Sequence, residues 1–310
     1  MRKTLAVTLL ALLVATPSYA ADLKIGRAAE QSSIDPQFAG TGPNGDTAGE
    51  MFDRLVDSDA QNQLHPALAT SWQVVDPTTW RITLRDDVKF HDGSLFTADD
   101  VAFSLARAKA MPNSPAPFSR ASRGVASVIV TGPHSLEVKT EIPVPRLMEQ
   151  IGEIYILSHT AAAGMTTSDM NSGKGMIGTG PYMFRHVEPA SRVEMIANQA
   201  YWGKKPAWDH VTLRFIKQPA ARVAALLAGD VDVIDQVPPS DARSLAANPK
   251  ISLFSIAATR LVYLALDSAR ADSPFMTDRA GKKMDRNPLQ DARVRQALSL
   301  MIDRNALATR

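Results

Sequence analysis

Histidine, serine, cysteine and paired acids are the residues from which most catalytic and metal centres are built. Their spacing in this chain of 310 residues argues against both. The histidines are His65, His91, His134, His159, His186 and His210. No two fall within one helical turn, so none forms the ready pair that a metal site uses. His91, in Phe90-His91-Asp92-Gly93, stands beside an acid and reads as a polar residue at a strand end. Neither G-x-S-x-G nor S-x-x-K occurs, and the phosphate-loop pattern is absent. Cysteine is missing altogether, which removes disulfides, thiolate ligands, cysteine nucleophiles and lipidation at an N-terminal cysteine. Asp99 and Asp100 are adjacent, but neighbouring side chains diverge on a helix, and capping accounts for them better. No catalytic residue, metal ligand or cofactor is assigned, and the expectation is a protein that is not an enzyme.

Gly40-Thr41-Gly42-Pro43-Asn44-Gly45 matches G-x-G-x-x-G. A dinucleotide fold places those glycines directly after a strand, so that a pyrophosphate meets a helix N-terminus. Here Asp35-Pro36 intervenes, and Pro43 lacks the amide that could bind phosphate. The segment reads instead as a loop whose backbone can approach something closely. Trp72, Trp80, Tyr201, Trp202 and Trp208 could line a ligand cleft, but half-buried packing is the commoner use of such residues.

The elements that must position these residues are short. Leu23–Ala29 reads as a first strand. Asp46 can cap a helix that puts Met51, Phe52, Leu55 and Val56 on one face. Trp80, Ile82 and Leu84 alternate with Arg81, Thr83 and Arg85, a half-buried strand. Thr97 and Asp100 form a capping box before Val101, Leu105 and Ala108. Val125–Thr131 and Ser135–Thr140 flank a hairpin turn; Pro145 starts a short helix, and Ile154–Ser158 reads as a strand. Thr166–Ile177 holds few apolar residues and reads as a mobile loop. Tyr182–Val187, Arg192–Ala197 and Val211–Ile216 read as strands, Pro219 opens an apolar helix, and Val231–Ile234 is a short strand. Ile251–Ile256 and Leu261–Leu266 read as strands. From Asp291 to about Leu307 a helix buries Val294, Ala297, Leu298, Met301 and Ile302. Strands mixed with helices give an α/β or α+β class.

Composition narrows the function further. The chain is 45% apolar and 21% charged, enough for a real core, and its net charge of +2 is not gathered on any segment. A nucleic-acid partner would need a basic face or stripe. At the N-terminus Arg2 and Lys3 precede an apolar run from Leu5 to Ala15, and Ser18-Tyr19-Ala20 supplies small residues. This predicts a signal peptide over residues 1–20, cut after Ala20, because the run is shorter than the ~20 residues a spanning helix needs. Its removal takes away Arg2 and Lys3 and no acid, leaving the balance at zero. The expectation is an exported protein without a lipid anchor, suited to a periplasm.

Several stretches together resemble the extracytoplasmic solute-binding proteins of peptide, nickel and opine ABC importers, the oligopeptide-binding or family 5 type. They are Ile34-Asp35-Pro36, Glu50 to Val56, Pro66 to Trp72, Trp80 to Val101, Gly178-Thr179-Gly180-Pro181-Tyr182, and Asn198 to Gly203. Arg222 to Asp232 and Asp291 to Leu298 complete the series. The resemblance implies an α/β fold of two lobes, periplasmic-binding-protein-like of type II, with an inserted subdomain and a second lobe largely missing. Residues 21–258 would form lobe I with the insert at about 46–169, and residues 259–310 the crossover and beginning of lobe II. Thr259–Leu266 would be the crossover strand, and the chain would be a truncated form that is poorly soluble alone.

The function so implied is the substrate-binding component of an importer. It would bind a small solute, a short peptide or something similar, and deliver it to an inner-membrane permease driven by a cytoplasmic ATPase. The protein would be a monomer, without nucleic acid. The ligand residues that the resemblance points to are Gly40, Thr41 and Gly42 from the loop, with Phe118 and Arg120 from the insert. A sensor that presents ligand to a receptor and a periplasmic hydrolase are the competing readings.

Overall fold

A computed structural model of the chain describes residues 21–256 and 263–308. The expected signal peptide lies outside the described residues, as does the first part of the expected crossover strand. Those that are described fall into two compact units, one ending at Asn248 and one beginning at Pro249.

The first unit runs β1 (Asp22–Arg27), α1 (Gly42–Ala48), β2 (Val56–Ser58), β3 (Leu64–Pro66), β4 (Ala69–Asp76), β5 (Thr79–Leu84) and α2 (Ala98–Lys109). It continues with β6 (Val125–Gly132), β7 (Ser135–Thr140), α3 (Leu147–Ile151), α4 (His159–Ala162), α5 (Thr167–Asn171), β8 (Tyr182–Glu188) and β9 (Arg192–Ala197). β10 (His210–Phe215), α6 (Pro219–Ala228), β11 (Val233–Ile234) and α7 (Pro239–Ala246) close it. The fold is mixed α/β, built on two larger sheets. One has the order β11-β1-β10-β9-β8, with β1 parallel to both its neighbours; the other is the antiparallel β4-β5-β7-β6.

Each sheet has its own core. Alternation along β5 sends Trp80, Ile82 and Leu84 inward, where they pack with Val101 and Leu105 of α2 and with Leu136 and Val138 of β7. The capping box forms as expected: the Asp100 carboxylate accepts both the N–H and the hydroxyl of Thr97, at 2.9 and 3.1 Å. The second core gathers Met51, Phe52, Leu157, Met170 and Met176 against Val193, Met195, Val211 and Leu213 of β9 and β10.

α6 carries the chain from β10 across β1 to β11, the crossover that parallel strands require. Its Arg222 is buried and donates to the carbonyls of Ile216, Asp235 and Gln236 at 2.8, 3.1 and 3.0 Å. One guanidinium thus ties together the loops that leave the carboxyl ends of β10 and β11.

Four local expectations need correction. Asp46 lies inside α1 rather than at its start: Gly42 and Pro43 form the first turn of that helix, Gly49 closes it, and the Asp46 carboxylate pairs with Arg27. Met51, Phe52, Leu55 and Val56 are buried, but not from a helix: Met51 lies in the turn after α1, Leu55 at a bend, and Val56 begins β2. Ile154–Ser158 forms only a single bridge, Tyr155 to Arg54, closed by the Ile156 amide on Asp53 O at 3.0 Å, while the Leu157 amide goes to the Ser104 hydroxyl at 2.9 Å. The segment expected to be a mobile loop at Thr166–Ile177 holds α5, capped reciprocally by Thr166 and Asp169, and buries Met170 and Met176. Two methionines were enough to anchor a stretch otherwise polar.

In the second unit, Ile251–Ile256 and the described residues Tyr263–Leu266 form no strand. The expected single helix is two, α8 (Ala292–Leu300) and α9 (Arg304–Ala308), with α8 capped by the Asp291 carboxylate on the Arg293 amide at 2.9 Å. α8 buries no side chain, so the residues placed on its inner face are not in a core. Phe254, at 90% exposed, together with Phe275, Leu300 and Met301, leaves this unit with much apolar surface in water.

Candidate functional site

The loop that leaves β1 is held by buried polar chemistry. Asp35 is wholly buried, and its carboxylate accepts two bonds from the Arg107 guanidinium of α2, at 3.0 and 2.7 Å. It also accepts the Gln37 amide at 3.1 Å and the Thr167 hydroxyl of α5 at 3.1 Å. Gln37 in turn donates to the carbonyls of Ser104 and Tyr155 at 3.1 and 2.8 Å. A buried carboxylate is tolerable only when paired and fully hydrogen-bonded, and here it is. These bonds fix the path of residues 33–38 and so set where the following glycines can lie.

Gly40 is the first of those glycines. Its amide donates to Ala116 O at 2.8 Å, and a side chain there would meet the Phe118 ring at 3.5 Å. The loop after β1 and the segment between α2 and β6 are therefore stitched together at this point. Beside the stitch opens a hollow of about 300 Å³ lined by Gly40, Pro117, Phe118, Arg120, Arg123 and Glu153. That is the lower end of the range for ligand pockets, which run roughly 300–1,000 Å³. A second hollow, of about 450 Å³, lies by Phe38, Arg107, Met111, Met165 and Thr167.

Of the residues expected to contact ligand, Gly40, Phe118 and Arg120 line the same hollow. Thr41 and Gly42 are not among its lining residues. Thr41 donates its hydroxyl to Asn44 Oδ1 at 2.9 Å, and exposed Gly42 begins α1 with open space around its Cα. Phe118 is mostly buried, with its ring against Gly40, while Arg120 is exposed. Arg123 and Glu153 were not anticipated. The spacing Arg120-x-x-Arg123 would have signalled the first had a tight turn been foreseen there; Glu153 comes from a distant segment and no local pattern marks it.

The motif stretches away from the hollow act as joints between the two sheets. His91 accepts the Gly178 amide on Nδ1 at 3.2 Å and bonds the Gly180 carbonyl through Nε2 at 3.0 Å, which fixes a neutral ring protonated on Nε2. Burial pushes this imidazole below its ordinary value, against a smaller opposing pull from the Gly180 carbonyl. A depressed histidine stabilises the fold fully above the unfolded value near pH 6.5, and that contribution is lost as pH falls through it. Between pH 7 and pH 5.5 the wild type is expected to lose stability with a steeper slope than His91→Gln, by up to ~1.4 kcal/mol per pH unit. Urea unfolding of both proteins at the two pH values checks this; equal slopes would contradict it.

Asp53 makes a similar joint. It accepts Trp202 Nε1 at 2.8 Å, the Thr179 hydroxyl at 2.9 Å and the Tyr201 hydroxyl at 3.2 Å. Burial raises its carboxyl above the usual range, while those three donors pull it back. The Arg85 guanidinium stacks over the Trp202 ring at 4.5 Å. Trp80, Tyr201 and Trp202 are thus engaged in packing and polar joints. Among the described residues no group of three or more His, Asp or Glu side chains is arranged to hold a metal ion, and no helix is long and apolar enough to cross a membrane.

Comparison with known proteins identifies the family. The family model described as "Bacterial extracellular solute-binding proteins, family 5 Middle" matches residues 63–310. The chain is 26% identical over 345 residues to the periplasmic murein peptide-binding protein MppA of Escherichia coli, covering 99% of this chain and 60% of that protein. It is also 26% identical over 271 residues to the nickel-binding periplasmic protein of Escherichia coli, covering 83% and 47%. Among solved structures, NikZ from Campylobacter jejuni in complex with Ni(L-His) superposes with a TM-score of 0.66 at 26% identity, over 74% of this chain and 45% of that one. DppA from Helicobacter pylori in complex with the peptide STSA gives 0.64 at 25% identity, over 74% and 50%. The chain therefore spans about half the length of the relatives it matches.

Proposed function

The chain belongs to family 5 of the bacterial extracellular solute-binding proteins, and from that premise we propose that it is the substrate-binding component of an ABC importer for short peptides or similar solutes. It binds its cargo outside the cytoplasm, in the periplasm, and delivers it unchanged to an inner-membrane permease powered by a cytoplasmic ATPase. The protein acts as a monomer and as a carrier, with no reaction of its own. In this reading residues 1–20 are its export signal. Residues 21–258 form one lobe with residues 46–169 inserted, and residues 259–310 begin the second. Gly40, Thr41, Gly42, Phe118 and Arg120 face the ligand.

The observation that carries the proposal is the stitch between Gly40 and Ala116-Pro117-Phe118. It brings a flexible-backbone loop, an aromatic ring and charged side chains to one open hollow. Backbone and aromatic surface with a few polar groups is the composition of small-ligand pockets. Peptide cargo is favoured by relatives named for murein peptides and dipeptides. The test is thermal unfolding of the chain with and without an alanyl dipeptide panel, nickel–histidine and an opine. A ligand present at a hundredfold excess over its Kd adds ~2.7 kcal/mol, which raises the midpoint by a few degrees. The expected result is such a rise with dipeptides. A midpoint indifferent to every solute, or cleavage of the peptides, would overturn the reading.

A further inference from the structure

Most guanidinium groups of the first unit are matched by an acid, as in Arg27–Asp46, Arg81–Glu137 and Arg107–Asp35. The two in the Gly40–Phe118 hollow are not. Arg120 and Arg123 have no acidic partner within ion-pairing distance among the described residues, and neither does Glu153, which shares the hollow. Their backbone brings the two arginines to one side. Residues 118–120 form a 3-10 turn, and the chain continues with the Ala121 amide on Phe118 O at 2.8 Å and the Arg123 amide on Arg120 O at 3.2 Å. In successive turns of this kind residues three apart eclipse each other. The side chain of Phe118 supplies an apolar floor beside them.

We propose that this hollow takes a carboxylate of the cargo, held by Arg120 and Arg123 above Phe118. Paired guanidinium forks match the planar, two-oxygen geometry of a carboxylate, and charge-assisted bonds of this type are about twice as strong as neutral ones. Two arginines against one glutamate leave the hollow net positive, so an anionic group gains there while an ammonium group is confined to the Glu153 side. The inference rests on the reading of the chain as a peptide-binding protein and adds a preference that this reading does not contain. The carboxylate can come from an acidic side chain or from a peptide C-terminus.

The probes are Ala-Glu, Ala-Gln and Ala-Gln amide, which carry two, one and no carboxylates, titrated calorimetrically into the whole chain, into Arg120→Gln/Arg123→Gln and into Glu153→Gln. The arginines are exposed, so their replacement leaves the core intact. The expected result is a fall in affinity of about tenfold, or ~1.4 kcal/mol, at one of the two carboxylate losses. A step from Ala-Glu to Ala-Gln marks a side-chain acid; a step from Ala-Gln to its amide marks the C-terminus. In the double variant that step collapses toward unity, in Glu153→Gln it widens, and in the wild type it shrinks as salt is raised. If all three peptides bind the wild type equally, or the step survives loss of both arginines, the inference is overturned and the peptide-binding reading stands. If none of the three binds, that reading itself is overturned.

Discussion

Replacing Gly178 with alanine is expected to abolish stable folding of the first unit. A Cβ at this position would lie 2.0 Å from Met51 O and 2.7 Å from Phe52 Cδ1, and at Gly180 it would lie 2.5 Å from Met51 C. The obstacle is backbone, pinned by the Gly180 amide on Met51 O at 3.0 Å and the Tyr182 amide on Glu50 O at 2.9 Å. No side-chain rotation can relieve such a clash. Ordinary overpacking costs ~1–3 kcal/mol; here whole segments must separate, and the expected loss is above ~4 kcal/mol, a large part of the ~5–15 kcal/mol that holds a domain folded. Gly178→Ala would also displace the amide that His91 accepts. Gly42→Ala serves as the control, since nothing lies within 4 Å of its Cβ position, and its stability is expected to stay within ~0.5 kcal/mol of wild type. Urea unfolding of the three proteins decides; a Gly178→Ala protein within 1 kcal/mol of wild type by that scale would contradict the packing described.

The second large effect is at Asp35. Asp35→Asn keeps the shape but leaves the Arg107 guanidinium, only 12% exposed, without its counter-charge; breaking a buried pair in this way typically costs ~3–5 kcal/mol. The loss is expected to be concentrated in the loop after β1, because Asp35 is where that loop meets α2 and α5. The double variant Asp35→Asn/Arg107→Met is expected to recover part of the loss, since it removes the stranded charge along with its partner. Any ligand affinity should fall in Asp35→Asn beyond what global stability explains, because Gly40 is placed by the same bonds. Additive single and double effects would show that the pair is not coupled.

Much of the first unit was legible because its signals are local. Alternation in Trp80–Leu84, the reciprocal Thr97–Asp100 cap and the Gly132-Pro133-His134 turn each act over a few residues, and each forms. Where the expectation failed, a distant contact won. Met170 and Met176 drew a polar stretch into the core. The Ser104 hydroxyl took the Leu157 amide, which a strand at Ile154–Ser158 would have offered to a neighbouring strand. The candidate site divides along the same line. Asp35, Gly40 and Phe118 stand in recognisable motif positions, but Glu153 reaches the hollow from more than a hundred residues beyond Gly40. Spacing could not reveal that Asp35 is the peg on which the loop hangs. In the second unit the heptad-like apolar pattern of Asp291–Leu307 formed helices without burial, so periodicity there reported helix type but not a core.

The claim that this protein holds a solute without transforming it is tested most directly by native mass spectrometry of the protein incubated with Ala-Glu, followed by denaturation and mass analysis of what is released. The account predicts one peptide per chain, released at its original mass and in the amount that bound. Recovery of free alanine and glutamate, or a covalent adduct on the chain, would contradict it.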